Sequence, residues 1–352
     1  MKNNFDKILS NSINEYNHKT KMFNSRPTVL FCTNEELASI CSMAKIYGFT
    51  FDCCITNTST EIIMNYLEGK HNCFFSNSVI SGVLFKHIAN DNTRKHIYIG
   101  PTKNEYFDLY PHRNIIYNNL DKINIIYNYL IDEKSKRTFL NIITRLCVDY
   151  HFHYFYEPVE ELQYFPKEFI FSNNEVYLDA GVCDGQDIVN FTNLVGSKYK
   201  YIYGFEPDES NYSIAESKLY GIKSLELRKL ALYSHSNLSL KFRSSVLTGK
   251  RGNARIQPDG DILVNTIKGD SLDVRPTFIK MDIEGAEKEA LIGLENTIKN
   301  HSPKLAVCIY HFQNDFCEIP LLIKKLNPEY KIMIRNYENL STLLESVCYA
   351  YM

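Results

Sequence analysis

The stretch EVYLDAGVCDGQDIVNF, residues 175–191, decides the fold of the C-terminal half of this chain. Its apolar run VYL predicts a buried strand, and the periodic apolar residues near its end predict a helix. Gly181 allows the backbone to approach a ligand closely, and Gly185 allows the turn into the helix, whose N–H groups face the same space. The stretch therefore predicts a strand, a turn and a helix, with a ligand site at the turn.

Outward from this stretch, strand-like and helix-like segments alternate over residues 164–352. Further strands are predicted at 201–208, 225–234 and 304–311, at the start of 278–298, and at 331–337. Two more are predicted on either side of a polar loop at 243–260, which is the expected place for acceptor specificity. This alternation predicts a parallel α/β sheet with helices on both faces.

The N-terminal part predicts a smaller domain of the same kind. Strands are predicted at 28–32, 49–57 and 96–102, and a helix at 34–48. A dinucleotide site would need glycines directly after the first strand, but the sequence there is CTNEEL, which has none and adds two carboxylates. We therefore expect a degenerate Rossmann-like βαβ domain that serves as a scaffold or docking unit. The predicted organisation is an N-terminal helix or tail, the βαβ domain, a helical connector and the main domain, over 1–25, 26–118, 119–163 and 164–352.

Composition excludes several classes of protein. The 352 residues are 44% hydrophobic and carry a net charge of −2, which is typical of a globular chain and argues against a general nucleic-acid coat. No run of eighteen apolar residues predicts a membrane span, and the first residues lack the apolar core of a secretory signal. We expect a cytoplasmic protein that binds no nucleic acid. Its oligomeric state cannot be read from the sequence.

Two acidic positions suggest the chemistry of the ligand. Asp179 precedes the first glycine, where an acid repels phosphate but accepts hydrogen bonds from an ammonium group. Glu206 ends the next strand, where a carboxylate can accept hydrogen bonds from the two hydroxyls of a ribose, and Pro207 fixes the direction of the chain there. A ligand with a ribose, an amino-acid tail and no phosphate satisfies both positions. S-adenosylmethionine has these features.

A second acidic group lies at the end of a later strand, in the stretch KMDIEGAE at 280–287. Asp282 and Glu284 precede the helix, whereas Glu287 lies in its first turn, where the helix dipole already favours negative charge. Tyr310 and His311 end the following strand. A histidine at that rim could accept a proton from a substrate hydroxyl near neutral pH.

Together these residues carry a family resemblance. Segment 174–338 resembles the FkbM family of S-adenosylmethionine-dependent methyltransferases. The likeness rests on EVYLDAGVCDGQD, YGFEPDESN, FIKMDIEGAEKEALIG, LAVCIYHFQNDFCEIPLLI and YKIMIRNY. It implies a class I (Rossmann-like) methyltransferase fold and methyl transfer to oxygen, often to a hydroxyl of a sugar or glycan or of a related small molecule. Where members of the family often have a threonine, this chain has Gln186-Asp187.

The resemblance also implies roles for single residues. The methionine portion of the cofactor would be held by Asp179, Gly181, Asp184 and Gly185. Glu206 would bind the ribose, and Ala231-Leu232 would lie near the adenine. Asp282 or His311 is the candidate base and Glu284 would position the acceptor, although Asp282 could instead bind the amino group of the cofactor.

The sequence leaves three questions open. Asp282, Glu284 and His311 could supply ligands to Mg²⁺, but we expect no metal. A non-catalytic scaffold of glycan assembly that retains the methyltransferase fold is the main alternative function. An NAD-dependent oxidoreductase or epimerase is a further alternative, which the G-x-x-x-G spacing and the lack of a Tyr-x-x-x-Lys motif near a strand end disfavour.

Overall fold

The structure is a computed structural model. It describes residues 162–352 except 197, 249–253, 313 and 338–344, and residues 116–147 except 117. Earlier in the chain it describes 27–32, 51–56, 72–76 and 97–100, with isolated positions between 7 and 66. The predicted tail at 1–25 and helix at 34–48 lie largely outside the described residues.

The elements are numbered in chain order. The strands are β1 (Thr28–Phe31), β2 (Cys53–Ile55), β3 (Asn72–Ser76), β4 (Ile97–Gly100), β5 (Val176–Ala180), β6 (Tyr201–Phe205), β7 (Leu225–Arg228), β8 (Ala231–Tyr233), β9 (Ser239–Arg243), β10 (Arg255–Ile256), β11 (Ile262–Lys268), β12 (Phe278–Met281), β13 (Lys304–Cys308), β14 (Lys331–Asn336) and β15 (Ser346–Tyr351). The helices are α1 (Leu120–Tyr129), α2 (Glu133–Cys147), α3 (Gln186–Val195), α4 (Glu209–Lys218), α5 (Ser245–Thr248), α6 (Glu287–Gly293), α7 (Glu295–His301) and α8 (Asp315–Leu326).

The C-terminal half is built on a seven-stranded sheet with the order β14-β15-β13-β12-β5-β6-β7. The strands from β13 to β7 in this order pair in parallel, as predicted, and their central members are short buried runs of the kind found when helices cover both faces. The prediction of an all-parallel sheet that ends at 331–337 is wrong in one respect. Strand β15 lies between β13 and β14 and runs antiparallel to β13.

A second, four-stranded sheet has the order β10-β9-β11-β8. Strand β8 pairs in parallel with β11, while β9 is antiparallel to both β10 and β11. The segment 225–234, predicted as one strand, is therefore two strands in two different sheets, because the chain leaves β7 and enters β8 across Lys229-Leu230. Part of the loop predicted at 243–260 forms α5 and β10.

The apolar core of the seven-stranded sheet includes a group of aromatic rings. Tyr177 and Phe278 stack with their centroids 4.8 Å apart, and Phe165 and Phe191 pack against both rings. Tyr177 and Phe278 lie near the amino ends of β5 and β12. The carboxyl ends of these strands are therefore left to polar residues.

The N-terminal strands form a separate four-stranded sheet with the order β2-β1-β3-β4, and all of its described pairs are parallel. The sequence predicted three of these strands and missed β3. By compactness the chain divides into two units, one formed by 1–125, 136–159 and 336–344 and the other by the remaining residues. The domain limits drawn from the sequence remain predictions. Among the described residues, no helix has both the length and the apolar character needed to cross a membrane.

Candidate active site

A cavity opens at the carboxyl ends of β5, β6 and β12. The chain continues from β5 to β6 on one side while β12 lies on the other, and a reversal of this kind is where open α/β sheets bind ligands. The empty space of the cavity is about 730 Å³ when its open mouth is counted. Its lining includes seven residues predicted from the sequence: Gly181, Glu206, Pro207, Ala231, Leu232, Asp282 and Glu284.

The glycine turn after β5 is required by both space and backbone angle. Gly181 and Gly185 each have φ +86°, a region that L side chains rarely adopt. A Cβ on Gly181 would lie 1.9 Å from the backbone oxygen of Asp282, and a Cβ on Gly185 would lie 2.9 Å from the side chain of Leu219. Gly181 thus lets the ends of β5 and β12 approach each other at the cavity wall, while Gly185 lets α3 pack on α4.

Asp179 lies behind the cavity wall rather than in its lining. Its buried carboxylate is 3.2 Å from Nζ of Lys280, which is 3.2 Å from Asp187 as well and donates a hydrogen bond to the carbonyl of Gly181. Burial raises the pKa of Asp179 to about 6 although Lys280 opposes the shift. Burial alone would lower the pKa of Lys280, but Asp179 and Asp187 raise it well above its usual value. Lys280 is therefore a buried cation that fixes the glycine turn.

Asp184 also lies outside the cavity lining. Its carboxylate accepts a hydrogen bond from the backbone N–H of Gln186 and forms an ion pair with Lys218 at 3.1 Å. These contacts place Asp184 at the start of α3, where it stabilises the first turn. The roles predicted for Asp179, Asp184 and Gly185 in holding the methionine portion remain predictions.

Glu206 presents a buried carboxylate to the cavity. Its two oxygens accept hydrogen bonds from the backbone N–H groups of Cys183 and Asp208, at 2.8 and 2.9 Å. Burial raises the pKa of Glu206 to about 7, although these two hydrogen bonds oppose the shift. Each carboxylate oxygen has a further lone pair, so the group can accept hydrogen bonds from a ligand as well. This suits a pair of neighbouring hydroxyls.

The opposite wall of this part of the cavity is apolar. Ala231 and Leu232, from β8, line it together with Phe242, Ala254 and Ile256 from the four-stranded sheet. A flat, uncharged ring would meet only hydrocarbon and aromatic groups here. The four-stranded sheet thus completes a site that the seven-stranded sheet alone would leave open.

Acidic residues and a histidine meet where β12 and β13 end. The Nε2 atom of His311 lies 3.3 Å from Oδ1 of Asp282 and 3.7 Å from Oε2 of Glu284. Its Nδ1 atom lies 2.9 Å from Oε1 of Glu287, a fully buried carboxylate that also accepts hydrogen bonds from the backbone N–H groups of Ile283 and Gly285. Glu287 therefore orients the histidine, beyond the helix-dipole role that the sequence suggested.

The charges in this group depend on one another. Burial would lower the pKa of His311, but Glu287, Asp282 and Glu284 raise it to about 10, so the imidazole is a cation at neutral pH. Burial raises the pKa of Glu284 to about 8. Burial would also raise the pKa of Asp282, yet His311 and Lys280 hold it below its usual value, so Asp282 is ionised.

Tyr164 supports this group from a segment that precedes the sheet. Its hydroxyl donates a hydrogen bond to Oδ2 of Asp282 at 2.8 Å, and Nζ of Lys280 lies 5.0 Å from the centre of its ring. Tyr164 is buried and has φ +70°, which is uncommon for a tyrosine. It fixes the rotamer of Asp282 and covers Lys280.

The sequence analysis missed the roles of Lys280, Asp187, Tyr164 and Glu287. Lys280 did leave a signal, because a lysine inside the otherwise apolar strand FIKM is rarely buried without charged partners. Tyr164 left none, since it lies 118 residues before the carboxylate that it contacts.

The strand order, with one antiparallel strand beside β13 and a ligand crevice at the carboxyl ends, defines the class I methyltransferase fold. Residues 179–332 match the family model described as the methyltransferase FkbM domain. This segment is therefore similar to the methyltransferase FkbM domain, in agreement with the resemblance. No curated protein sequence matches the chain significantly.

Among solved structures, methyltransferase FkbM from Methylobacillus flagellatus KT is similar to this chain. The two are 18% identical with a TM-score of 0.61, and the match covers 93% of this chain and 90% of that one. At this identity the likeness shows the fold alone, and it confirms the predicted fold class. More distant are a SAM-dependent methyltransferase from Aquifex aeolicus (15% identity, TM-score 0.31, 52% and 85% of the two chains) and an rRNA methylase from Streptococcus thermophilus (14%, 0.33, 52% and 90%).

Proposed function

We propose that this domain binds S-adenosylmethionine and transfers its methyl group to a hydroxyl oxygen of a sugar, a glycan or a related small molecule. The observation that carries the proposal is one cavity with two different ends. Its lining combines Glu206 and a group of apolar side chains with Asp282 and Glu284, which lie beside His311, and we assign the first set to the donor end and the second to the acceptor end. The first end suits an adenosine and the second suits a hydroxyl that must lose a proton.

The donor end fits the adenosine of S-adenosylmethionine. Glu206 would accept hydrogen bonds from the ribose hydroxyls, and Ala231, Leu232 and Phe242 would pack against the adenine. Gly181 lets the end of β12 approach the end of β5, which places Asp282 at the cavity wall. Two carboxylates that line the cavity beside it, Asp187 and Asp282, are the candidates for binding the amino group of the methionine portion. The bound cofactor supplies an electrophilic methyl group on its sulfonium.

At the acceptor end, the protein must position a hydroxyl and take up its proton. Orientation alone is worth roughly 7–11 kcal/mol in the best intramolecular models, and a base adds about 10²–10⁴-fold. Asp282 is ionised and can accept the proton, while the His311 cation holds the carboxylates in place. Phe312, which is about half exposed next to His311, offers a ring face to the C–H side of a sugar. The net charge of −2 supports a small-molecule or glycan acceptor over nucleic acid. The location that we propose is the cytoplasm.

Calorimetric titration with S-adenosylhomocysteine tests the donor site. Wild-type protein should bind it with micromolar affinity, and Glu206→Ala should weaken binding at least tenfold, because the ribose loses a charged acceptor. Glu209→Ala is the matched control, since Glu209 is an exposed carboxylate three residues further on that pairs with Lys229. NAD should not bind.

Product analysis tests the acceptor. Incubation of the protein and labelled S-adenosylmethionine with a panel of sugars, nucleotide-linked sugars and glycans should give a product methylated on oxygen, identified by NMR. If folded wild-type protein binds no S-adenosylhomocysteine, the proposal fails and the scaffold alternative takes its place. Binding of NAD instead would favour the oxidoreductase alternative.

A further inference from the structure

We propose that Asp282, Glu284 and His311 form a binding site for one divalent cation. Each of the three offers one ligand atom, and these atoms all lie within 4.8 Å of one another. The distances from Nε2 of His311 to the two carboxylate oxygens are 3.3 and 3.7 Å. Neighbouring ligands of an octahedral ion with bonds of about 2.1 Å lie about 3.0 Å apart. The group is thus close to the spacing of a metal site before the ion draws its ligands inward.

The histidine gives an observation independent of the acidic residues. The side chain of His311 is 7% exposed, and its Nε2 atom makes no hydrogen bond among the described residues although it points between two carboxylates. Its ion pairs with these carboxylates, at 3.3 and 3.7 Å, are longer than normal N–H···O hydrogen bonds, so this buried nitrogen has no well-placed hydrogen-bond partner among the described residues. A cation between the three side chains would supply one.

The surroundings of His311 resemble those of metal-bound histidines in general. The buried carboxylate of Glu287 lies 2.9 Å from Nδ1, and its oxygens are fixed by two backbone N–H groups. A bound metal would replace the proton that Nε2 carries in the metal-free protein, while a carboxylate on the far nitrogen keeps the other proton on Nδ1 and raises the basicity of Nε2. Glu287 would therefore be a positioning residue for the metal ligand.

The ligand set narrows the choice of ion. Two carboxylates favour Mg²⁺ or Mn²⁺, and one imidazole shifts the preference towards Mn²⁺ and other first-row ions. Three protein ligands leave coordination positions open, and Asp282 and Glu284 line the cavity, so these positions face the acceptor end. We assign the site to a Mn²⁺-like cation.

The role of the ion rests on the proposed function. With the ion bound, Asp282 would be a metal ligand rather than the base, and the cation would attract the acceptor hydroxyl and lower its pKa, so that the proton of the hydroxyl leaves to solvent water. The oxygen then forms the new C–O bond as the S–C bond of the sulfonium breaks, which releases neutral S-adenosylhomocysteine. Acceptors with two neighbouring oxygens would gain most, since both can approach the same ion.

The test is titration of the full-length protein with Mn²⁺, with free Mn²⁺ followed by electron paramagnetic resonance and Mg²⁺ added as a competitor. One ion should bind per chain. Glu284→Gln should weaken binding at least tenfold, and Glu287→Gln should weaken it by roughly 10–100-fold through loss of histidine orientation. Glu318→Gln is the matched control, because this carboxylate pairs with Lys288 on a neighbouring helix and should leave Mn²⁺ binding unchanged.

Circular dichroism must show that each variant is folded. If Glu287→Gln does not fold, the Mn²⁺ affinity of Glu284→Gln alone tests the metal site. Absence of Mn²⁺ binding by wild-type protein overturns the proposal, and so does binding that Glu284→Gln leaves unchanged. A parallel titration with S-adenosylhomocysteine separates the two hypotheses. Binding of S-adenosylhomocysteine without Mn²⁺ overturns only the metal site, whereas binding of Mn²⁺ without S-adenosylhomocysteine overturns only the methyltransferase function.

Discussion

The N-terminal sheet and the seven-stranded sheet share a local plan, and they differ in the residues at the ends of their strands. In each sheet the first strand along the chain is an interior strand with parallel neighbours on both sides, β1 between β2 and β3, and β5 between β6 and β12. After β5 the chain has Gly181 with positive φ. After β1 it has the buried Cys32, and no glycine occurs before Leu37.

The strand ends differ in charge as well. In the seven-stranded sheet, Glu206, Asp282 and His311 lie at or just beyond the carboxyl ends of their strands. In the N-terminal sheet, neither of the two residues directly after β1, β2, β3 or β4 in the sequence is charged. Parallel strand order is thus common to both sheets, and the charged residues directly after β6 and β12 are what the N-terminal strands lack.

The largest expected effect comes from replacing Gly181, directly after β5, by a residue that has a Cβ, as Cys32 directly after β1 does. Gly181→Ala places a Cβ within 1.9 Å of the Asp282 backbone at φ +86°, so the strand ends must separate. We expect a loss of about 3–5 kcal/mol in the free energy of unfolding and no binding of S-adenosylhomocysteine. Urea denaturation and calorimetry measure the two effects.

The matched change in the N-terminal sheet is Cys32→Ala, which removes one buried sulfur. It should cost about 1 kcal/mol and leave the binding of S-adenosylhomocysteine unaltered. Normal binding by Gly181→Ala would show that the contrast between the two turns has no functional meaning.

The next prediction concerns Lys280, the buried cation behind the glycine turn. The described residues of the N-terminal sheet include no buried lysine of this kind. Lys280→Met leaves Asp179 and Asp187 without their cation and should cost about 3–5 kcal/mol in the free energy of unfolding, measured by urea denaturation. Lys288→Met, which breaks an exposed pair, should cost about 0.5 kcal/mol or less.

A double variant separates charge from packing at Lys280. Adding Asp179→Asn to Lys280→Met removes one of the uncompensated charges and should restore part of the lost stability. A double variant that is no more stable than Lys280→Met would show that the lysine acts by filling space.

Much of the difference between the strand ends of the two sheets could be predicted from the sequence. The short apolar runs VYL and FIKM, the two glycines and the acids at strand ends are local patterns, and they indicated the fold class and seven of the residues that line the cavity. The antiparallel position of β15 could not be read, because the sequence shows that SVCYAY is strand-like but not between which strands it inserts. The split of 225–234 into β7 and β8 depends on pairing with β11, about thirty residues further on.

The electrostatics were harder to predict than the fold. Glu287 looked sufficiently explained as a first-turn acid, yet it holds His311, because burial and a strand end that lies twenty-four residues later bring the two together. Asp179 forms an ion pair with a buried lysine from β12, a contact that the sequence did not predict. Such contacts depend on tertiary structure and have no fixed spacing in the sequence.

A smaller effect is the pH dependence of cofactor binding. The pKa of Glu206 is raised from 4.5 to about 7 by burial. Only the ionised carboxylate accepts both ribose hydroxyls, so affinity for S-adenosylhomocysteine should be constant above pH 7 and fall by about tenfold per pH unit below it. Calorimetry from about pH 5.5 to 8.5 measures this slope, and Glu206→Ala should remove it.

The Glu206 carboxyl should affect the free energy of unfolding with the opposite pH dependence, because it stabilises the fold most at low pH. Because its pKa is higher in the folded state than in the unfolded state, its contribution to stability is complete below pH 4.5 and is lost as the pH rises through about 7. A pH profile of urea denaturation for wild type and Glu206→Ala should show the difference. Binding that strengthens as the pH falls would contradict the assignment of Glu206 to the ribose.

A last effect concerns Tyr164, which reaches the rim from outside the strand ends. Tyr164→Phe keeps the ring over Lys280 and removes only the hydroxyl that donates to Asp282, so it should cost about 1.5–3 kcal/mol, the range for a hydrogen bond to a charged group. Urea denaturation measures this loss, and Tyr310→Phe is a suitable comparison because its hydroxyl lies at 3.5 Å from Asp282 and should matter less. If Tyr164→Phe costs nothing, Asp282 is held by Lys280 and His311 alone, and the rim that distinguishes the two sheets is built entirely from strand ends. If it costs the expected amount, the segment before β5 is part of what makes this crevice a site.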